Sequence, residues 1–393
     1  MTARAATFGT FFVNGAIVGT WVGQIPFVQE RLVISKSVLG LDLLCMAFGA
    51  MLAMPLTGQV LDRRSSATTT RAITLVYVPL LALPLLAPSP LLLGGALLVF
   101  GAANGAMDVA MNAHGVAVER ALGVPIMSSL HAGWSFGGLA GAGGVALAVH
   151  AGLDPRVEGL VAGCVLWLAA LVITAGLGSA SAHSEHGPAG VALPSRGVLL
   201  IGALCFLVMV TEGAMGDWSG IYLRGDLDGG AAAAATGFAG FSLGMALARL
   251  AGDGLARRSG AGRLLAAGMA LVTVALGATV LIGNASLAVV GFALVGIGIA
   301  NAVPLLFSAA GRVPPAGPSL AAVFTLGYTG FIVGPPLIGV LADATSLPLT
   351  LSALCGAALT VTLLGGRAAE HGMPSRATQR LTSGRDGTPE TQP

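Results

Sequence analysis

Asp108 lies in the middle of a long apolar stretch and is flanked, at steps of four residues, by Asn104 and Asn112. Four residues on an α-helix turn a side chain through about 400°, so the three polar groups share one face over about 12 Å of helix axis. A carboxylate between two amides can carry a proton, accept hydrogen bonds from a solute, or make a structural pair with another helix. An aspartate at the centre of a bilayer costs about 2.5 to 3.5 kcal/mol, so this face is expected to turn toward protein or water.

Three further ionisable residues lie inside apolar stretches. Glu212 is predicted at mid-depth of its helix and is the second candidate for binding a proton or a solute. Asp217 follows five residues later, about 140° around the helix, and is interpreted first as an interfacial residue and alternatively as part of a gate or site. His131 either titrates near neutral pH or stays neutral and donates one hydrogen bond to a backbone carbonyl.

Four amides are also predicted at or near mid-depth: Asn14, Asn104, Asn112 and Asn301. Such side chains either bind substrate hydroxyls or join neighbouring helices, a contact worth about 0.6 to 2 kcal/mol in membranes. Asn104 and Asn301 occupy matched positions of an internal repeat, which fits paired roles at a central cavity and equally a duplicated packing contact.

Other residues in the apolar stretches are ranked lower. Asp42 and Arg249 are each interpreted as structural. Trp21, Trp134 and Phe324 are candidates for an aromatic cavity lining, although aromatic side chains in membrane helices more often serve packing.

The composition indicates whether water or lipid surrounds the folded chain. Only 9% of the 393 residues are charged, 55% are hydrophobic and the mean hydropathy is +0.87, whereas soluble domains carry about 25% charged residues. So little polar surface could not cover this chain in water, so it is predicted to be a polytopic membrane protein. The four cysteines lie inside apolar runs without disulfide or metal spacing.

At about 20 apolar residues per span, the sequence contains twelve predicted membrane helices. They cover residues 6–28, 38–60, 71–88, 91–114, 126–149, 157–178, 198–222, 233–256, 263–283, 286–308, 319–341 and 347–365. The predicted fold class is therefore an all-α membrane protein.

The basic residues predict the orientation. With both termini inside, 14 of the 19 Lys and Arg residues fall on the inner side, four fall outside and Arg249 lies within span eight. This distribution follows the positive-inside rule and predicts an N-in, C-in topology. The four outer residues are Arg31, Lys36, Arg156 and Arg224.

The chain is predicted to consist of two six-helix halves, residues 1–178 and 198–366, joined by a cytoplasmic linker at 179–197 and followed by a disordered cytoplasmic tail at 367–393. An internal repeat supports the division, because the segment from Gly58 to Arg64 matches the segment from Gly252 to Arg258 at an offset of 194 residues. Ala103-Asn104 matches Ala300-Asn301 at an offset of 197. Parallel repeats of this kind are typical of transporters with a substrate site between the halves.

The loop after span two resembles the signature loop of the major facilitator superfamily. The resemblance covers essentially the whole chain and implies two rocking halves around a central site. In the family, the aspartate of this loop and its arginine partners latch the cytoplasmic helix ends and favour the outward-open state. By resemblance, the latch residues here are Gly58, Asp62, Arg63, Arg64 and Arg120. The alternative is that the arginines only obey the positive-inside rule.

Within the superfamily, the segments at 108–119, 126–138 and 212–224 resemble a group of uncharacterised bacterial permeases, distantly similar to the fucose-permease branch of sugar:proton symporters. The drug:proton antiporter branch fits less well. It carries an arginine in helix four, where this chain has Asn104 and Asp108, and a Gly-Pro hinge in helix five, whereas here Gly334-Pro335 lies in span eleven.

The predicted function is secondary active transport of a small organic solute, by proton-coupled symport of a sugar-like or other polar compound. Antiport that exports a drug or metabolite is the alternative. An enzyme is not expected, since the spans contain no HExxH motif and no convincing nucleophile–base pair. The chain is expected to need no cofactor beyond an ion gradient, to bind no nucleic acid, and to act as a monomer in the inner (cytoplasmic) membrane.

Overall fold

A computed structural model describes residues 1–124, 126–178 and 195–369, except for the side chains at 253, 316 and 317. The described part of the chain consists of α-helices joined by short connections, with one π-helical turn at Tyr222–Asp226. The helices are α1 (Ala3–Leu32), α2 (Lys36–Leu61), α3 (Ser66–Leu80), α4 (Ala82–Leu86), α5 (Pro90–Leu122), α6 (Met127–His150), α7 (Pro155–Ala175), α8 (Arg196–Ile221), α9 (Gly230–Ser259), α10 (Ala261–Ile282), α11 (Ala285–Ile299), α12 (Ala302–Gly311), α13 (Ala316–Ala344) and α14 (Leu347–Ala369).

These helices form twelve segments that are long and apolar enough to cross a membrane, which confirms the predicted number of spans. Helices α3 and α4 together make the third span and α11 and α12 the tenth, while the π-helical turn extends α8 as the seventh. The tenth span breaks between α11 and α12 because Pro304 has no N–H group to donate to the carbonyl of Ala300.

Hydroxyl and carboxylate side chains set the starts of several helices. In each case the residue just before the helix accepts a hydrogen bond from a backbone N–H of the first turn, which would otherwise lack a partner. The N-cap residues are Ser35 of α2, Ser65 of α3, Ser89 of α5, Asp154 of α7 and Ser195 of α8.

Helix α5 is longer than predicted. It continues past the predicted end at residue 114 to Leu122 and stops where Gly123 takes a left-handed conformation with a φ of 67°. Glu119 then caps the next helix, because one carboxylate oxygen accepts the backbone N–H groups of Ile126 at 2.6 Å and Met127 at 3.0 Å. The polar end of α5 is thus used to start α6.

Close helix packing recurs in the two halves. A side chain at Gly49 of α2 would overlap the backbone oxygen of Leu98 in α5, and one at Gly244 of α9 would overlap that of Ala293 in α11. Both members of the second pair lie 195 residues after their counterparts in the first. The shared shift places the same helix contact in each half, as a duplicated six-helix unit requires.

Helices α1 to α7 form the first half and α8 to α14 the second. The halves meet along two main seams, where α6 packs on α9 and α2 packs on α13, while α1 contacts α8 and α9. We call the end of the bundle where α1 begins and α14 finishes the proximal end, and the opposite end the distal end.

The predicted inter-half linker and C-terminal tail lie largely outside the described residues. At their borders the helices differ from the predicted limits, since α8 begins at Arg196 and α14 continues to Ala369.

Candidate functional site

The carboxylate of Asp108 faces the opposite half of the protein. The Tyr328 hydroxyl, on α13 of the second half, donates a hydrogen bond to one carboxylate oxygen at 3.3 Å. The Asn112 amide donates to the other oxygen at 3.0 Å and to the Asp108 backbone carbonyl at 2.9 Å. Asn104, Asp108 and Asn112 are all half-buried, so the polar face borders an accessible space between the halves.

Glu212 pairs with a residue that the sequence analysis interpreted as structural. The Arg249 guanidinium on α9 lies 3.8 Å from the Glu212 carboxylate on α8, with side-chain exposures of 16% and 18%. The same guanidinium donates a hydrogen bond at 2.9 Å to the Ser135 hydroxyl on α6 of the first half. Arg249 therefore links the carboxylate to the opposite half.

An aromatic stack runs from Tyr328 toward the proximal end. The rings of Phe324 and Tyr328 stack with centroids 4.2 Å apart, and Phe307 of α12 stacks on Phe324 at 5.5 Å. Phe324 is 40% exposed although Tyr328, one turn further along the same face, reaches the other half. The exposed part of Phe324 therefore lies on the proximal side of the Asp108–Tyr328 contact.

Sequence reasoning missed Tyr328. The signal was the spacing of Phe324, Tyr328 and Phe331, which places three aromatic rings on one face of a helix at steps of four and three residues. Phe331 completes the row with an edge contact to Tyr328 at 5.9 Å.

Of the other two predicted aromatic lining residues, Trp21 is buried and Trp134 is half-buried. Trp21 is 1% exposed and packs edge-on against Phe100 inside the first half. Trp134 offers its backbone to Gly15 of α1, where a side chain would overlap the tryptophan carbonyl. Trp21 lies in the core because α1 is the most enclosed helix of its half, which composition alone does not show.

The amides of the candidate set contact protein groups. Asn104 accepts a hydrogen bond from the Tyr77 hydroxyl at 3.0 Å. Asn14, 2% exposed, directs its amide nitrogen at the Met111 sulfur at 3.3 Å, and its amide oxygen is buried without a hydrogen-bond partner in the described structure.

Asn301 sits between α11 and α12 and faces its own half. Its amide donates to the Ala248 backbone oxygen at 3.4 Å, and its carbonyl oxygen fills the space where a side chain at Gly252 would be. The residues at matched repeat positions, Asn104 and Asn301, therefore both contact neighbouring helices of their own halves.

Asp217 and His131 are half-buried on opposite halves. Within the described residues, the Asp217 carboxylate makes no hydrogen bond or ion pair. The His131 ring makes an edge contact with Phe11 at 5.4 Å, and its backbone carbonyl accepts a hydrogen bond from Ser135.

The predicted latch lies at the proximal end with its members apart. Asp62, Arg63, Arg64 and Arg120 are exposed, and a side chain at Gly58 would meet open space. In the part of the chain that the structure describes, these four side chains make no hydrogen bond or ion pair.

Polar contacts join the two halves at the distal end. The Asp343 carboxylate at the end of α13 accepts the backbone N–H groups of Lys36 at 3.2 Å and Ser37 at 2.8 Å, in the first turn of α2. The Lys36 ammonium lies 3.8 Å from the Asp226 carboxylate of the second half.

A second distal contact involves α1. The Arg224 guanidinium forms an ion pair with Glu30 and lies over the Phe27 ring, 4.8 Å from its centroid. The distal ends of the halves are thus joined around the seams, whereas Phe324, on the proximal side of Asp108, is exposed.

Known proteins with similar sequences are membrane proteins from bacteria. The chain is 36% identical over 366 residues to an uncharacterised MFS-type transporter of Yersinia pestis, covering 92% of this chain and 94% of that protein. It is 34% identical over 348 residues to an uncharacterised transporter of Sinorhizobium fredii, covering 86% and 91%. The membrane protein MosC of Rhizobium meliloti is 32% identical over 352 residues, covering 88% and 85%.

Solved structures show the same fold at low sequence identity. A point mutant of the nucleoside transporter NupG has a TM-score of 0.75 at 14% identity, covering 94% of this chain and all of that one. A bacterial homologue of the human lysosomal transporter Spinster, in an inward-facing and occupied conformation, has a TM-score of 0.69 at 13% identity, covering 97% and 96%. No family model matches the chain. The extent and identity of the sequence matches nevertheless settle the family: the chain belongs to the major facilitator superfamily of membrane transporters, and it is not an enzyme.

Proposed function

We propose that this transporter is a proton-coupled symporter that takes up a small polar organic solute, sugar-like or otherwise, by alternating access. The observation that carries the proposal is the hydrogen bond between Tyr328 and Asp108, which joins the two halves at mid-depth. The contacts of a side chain at that point depend both on whether a solute occupies the space between the halves and on the relative position of the halves. The open space on one side and the joined distal ends on the other fit one state of an alternating cycle.

Asp108 and Glu212 are proposed to carry protons, bind the solute, or both. Burial disfavours the charged form of a carboxylate, so such groups can exchange protons when their surroundings change. Protonation of Glu212 would release the Arg249 guanidinium from its 3.8 Å ion pair, while Arg249 stays bonded to Ser135 of the other half. A proton bound to Glu212 in the second half would in this way free Arg249, the residue that contacts the first half, from one of its two partners.

The remaining predicted features complete the proposal. The proximal end is assigned to the cytoplasm of a bacterial inner membrane, so the described state is inward-facing. The latch around Asp62 would then engage in the opposite state, which agrees with its separation here. The driving force is an ion gradient, and the working unit is a monomer that binds no nucleic acid. Membership of the fucose-permease branch supports symport by resemblance only.

Export of a drug or metabolite by antiport is the second candidate. The observation that favours it is the exposed Phe324 ring beside the Asp108–Tyr328 contact, since aromatic surfaces suit amphipathic compounds.

Flux through reconstituted vesicles tests the function. The purified protein is supplied with a panel of sugars, polyols, nucleosides, amines and drugs under proton gradients of either direction. We expect uptake that follows an inward proton gradient and is abolished by Asp108→Asn and by Glu212→Gln, whereas Cys164→Ser on the exposed face of α7 changes nothing. Export against the gradient would favour the antiporter, and a folded protein that moves no solute under any gradient refutes both.

Alternating access is tested without knowledge of the solute. Spin labels replace Val33 in the first half and Leu281 in the second, both exposed at the distal end, in a chain whose four cysteines are changed to serine. We expect a main short distance from the described state and a second, longer distance whose share changes with pH. A single distance at every pH contradicts the rocking of the halves.

A further inference from the structure

We propose that the solute taken by the central site is a small organic cation, held at the Asp108 carboxylate beside the aromatic rings of Tyr328 and Phe324. The inference rests on the proposed transport function and narrows its substrate class. It differs from the sugar-like solute favoured by resemblance, because it starts from the charges and surfaces that surround the open space.

The first argument is charge. The polar partners of Asp108 are the Tyr328 hydroxyl and the Asn112 amide, both neutral donors. The Arg249 guanidinium is already committed to Glu212 and Ser135. Within the described structure, Asp108 is therefore a mid-depth carboxylate that forms no ion pair, and a cation is the ligand that such a carboxylate lacks.

The wider surroundings have the same sign. Besides Asp108, the ionisable candidates in the helices between the halves are Glu212, Asp217 and His131, and Arg249 joins them through Glu212. Three carboxylates thus accompany one guanidinium, and the formal excess is negative in either protonation state of the His131 ring. A neutral or anionic solute would leave that excess uncompensated, whereas a cation reduces it.

The second argument is the aromatic surface. Phe324, one turn nearer the proximal end than Tyr328, is 40% exposed, and its ring stacks at 4.2 Å on Tyr328, whose hydroxyl contacts Asp108. Phe307 and Tyr328 cover part of the Phe324 ring by stacking. An ammonium over the part of the ring that stays exposed is attracted by the ring quadrupole, more strongly where water is excluded. A carboxylate with aromatic faces beside it is the combination that binds organic ammonium groups.

The third argument concerns the groups expected to bind hydroxyls. Asn104 is bonded to Tyr77, Asn112 to Asp108, and Asn301 to the backbone of α9. Each of these three amides already has a protein partner, and Asn14 is 2% exposed, so fewer accessible groups remain for a neutral polyol than the sequence suggested. The contacts of the site therefore favour recognition of a charged group on the solute over recognition of its hydroxyl groups.

Matched pairs of compounds test the proposal on the purified full-length protein. Choline is compared with dimethylbutanol, in which carbon replaces the quaternary nitrogen, and phenethylamine with phenethyl alcohol. Binding is measured by thermal stabilisation and by titration calorimetry. We expect each cation to bind at least about tenfold more tightly than its neutral partner, a difference of about 1.4 kcal/mol.

Three variants distinguish binding at the Asp108 site from general effects on the stability of the protein. Asp108→Asn should abolish the preference for the cation, and Phe324→Leu, which keeps the apolar bulk, should weaken cation binding about threefold while leaving the alcohol unchanged. Asp42→Asn removes another buried carboxylate, near the distal end of α2, and should keep the preference. Equal binding within the pairs, no binding of either cation, or a preference that survives Asp108→Asn overturns the proposal.

The failure of this inference is distinguishable from failure of the transport proposal. If the cation preference is absent but the distance between labels at Val33 and Leu281 still changes with pH, the site takes another solute and the transport cycle stands. If the cation binds and that distance never changes, the substrate class stands and alternating access fails.

Discussion

The contact of Asp343 with the first turn of α2 is predicted to hold the distal end closed. Asp343 belongs to the second half, and its carboxylate accepts two backbone N–H groups of the first half, from Lys36 and Ser37. It acts as an N-cap supplied by the opposite half. The bond must break when the halves separate at this end, whereas the cap from Ser35 within the first half can persist.

The size of the effect follows from helix capping. Loss of an N-cap costs about 0.5 to 2 kcal/mol, typically about 1, and the exposure of Asp343 argues for a value no larger than that. A change of about 1 kcal/mol is a factor of about five in an equilibrium constant. Asp343→Ala should therefore raise the ratio of distal-open to distal-closed molecules about fivefold, and Asp343→Asn, which keeps an acceptor oxygen, by less.

The assay is the distance distribution between spin labels at Val33 and Leu281, measured at one pH. The matched control is Ser89→Ala. Ser89 also lies at the distal end and caps a helix, but it accepts its hydrogen bond from Leu92 within α5. Its removal should lower the unfolding temperature without changing the two populations.

Two results would refute the reasoning. If Asp343→Ala leaves the populations unchanged, the cross-half cap does not contribute to closure. If Ser89→Ala shifts them as much as Asp343→Ala, the effect reports general loosening of helix ends and not a contact between the halves.

Three further predictions concern packing and the central site. Gly137→Ala should cost about 1 to 3 kcal/mol of stability, because the new methyl group would overlap the backbone of α1. Gly143→Ala, whose methyl group would meet open space, should be nearly neutral. Unfolding in mixed micelles measures both variants, and equal effects would contradict the packing. Arg249→Met should destabilise the protein by about 3 to 5 kcal/mol, because it leaves Glu212 without its counter-ion. Adding Glu212→Gln should restore most of the lost stability in the same unfolding assay. A double variant no more stable than Arg249→Met would exclude the ion pair as the cause. Tyr328→Phe keeps the ring face and should change the choline dissociation constant by less than about threefold in calorimetry; a tenfold loss would assign the interaction to the hydroxyl.

The sequence by itself determined the architecture. A chain with 9% charged residues must use lipid as its solvent, so apolar stretches of about 20 residues become spans, and their number follows from length and composition. Spacing at steps of four placed Asn104, Asp108 and Asn112 on one face, and the cost of a carboxylate in lipid turned that face inward. The repeat was visible in the matching segments at Gly58 and Gly252 and at Asn104 and Asn301, and the structure added the matched close contacts at Gly49 and Gly244.

Only the tertiary structure decided which polar groups contact each other. Tyr328 lies 220 residues after Asp108, and Ser135 lies 114 before Arg249, so no local pattern relates them. Whether an amide joins helices or faces a cavity depends on its exact place in the fold, and the break between α11 and α12 directs Asn301 to the backbone of α9. Periodicity within one helix defines a face, but the partner of that face is fixed by how two halves, distant in sequence, pack together.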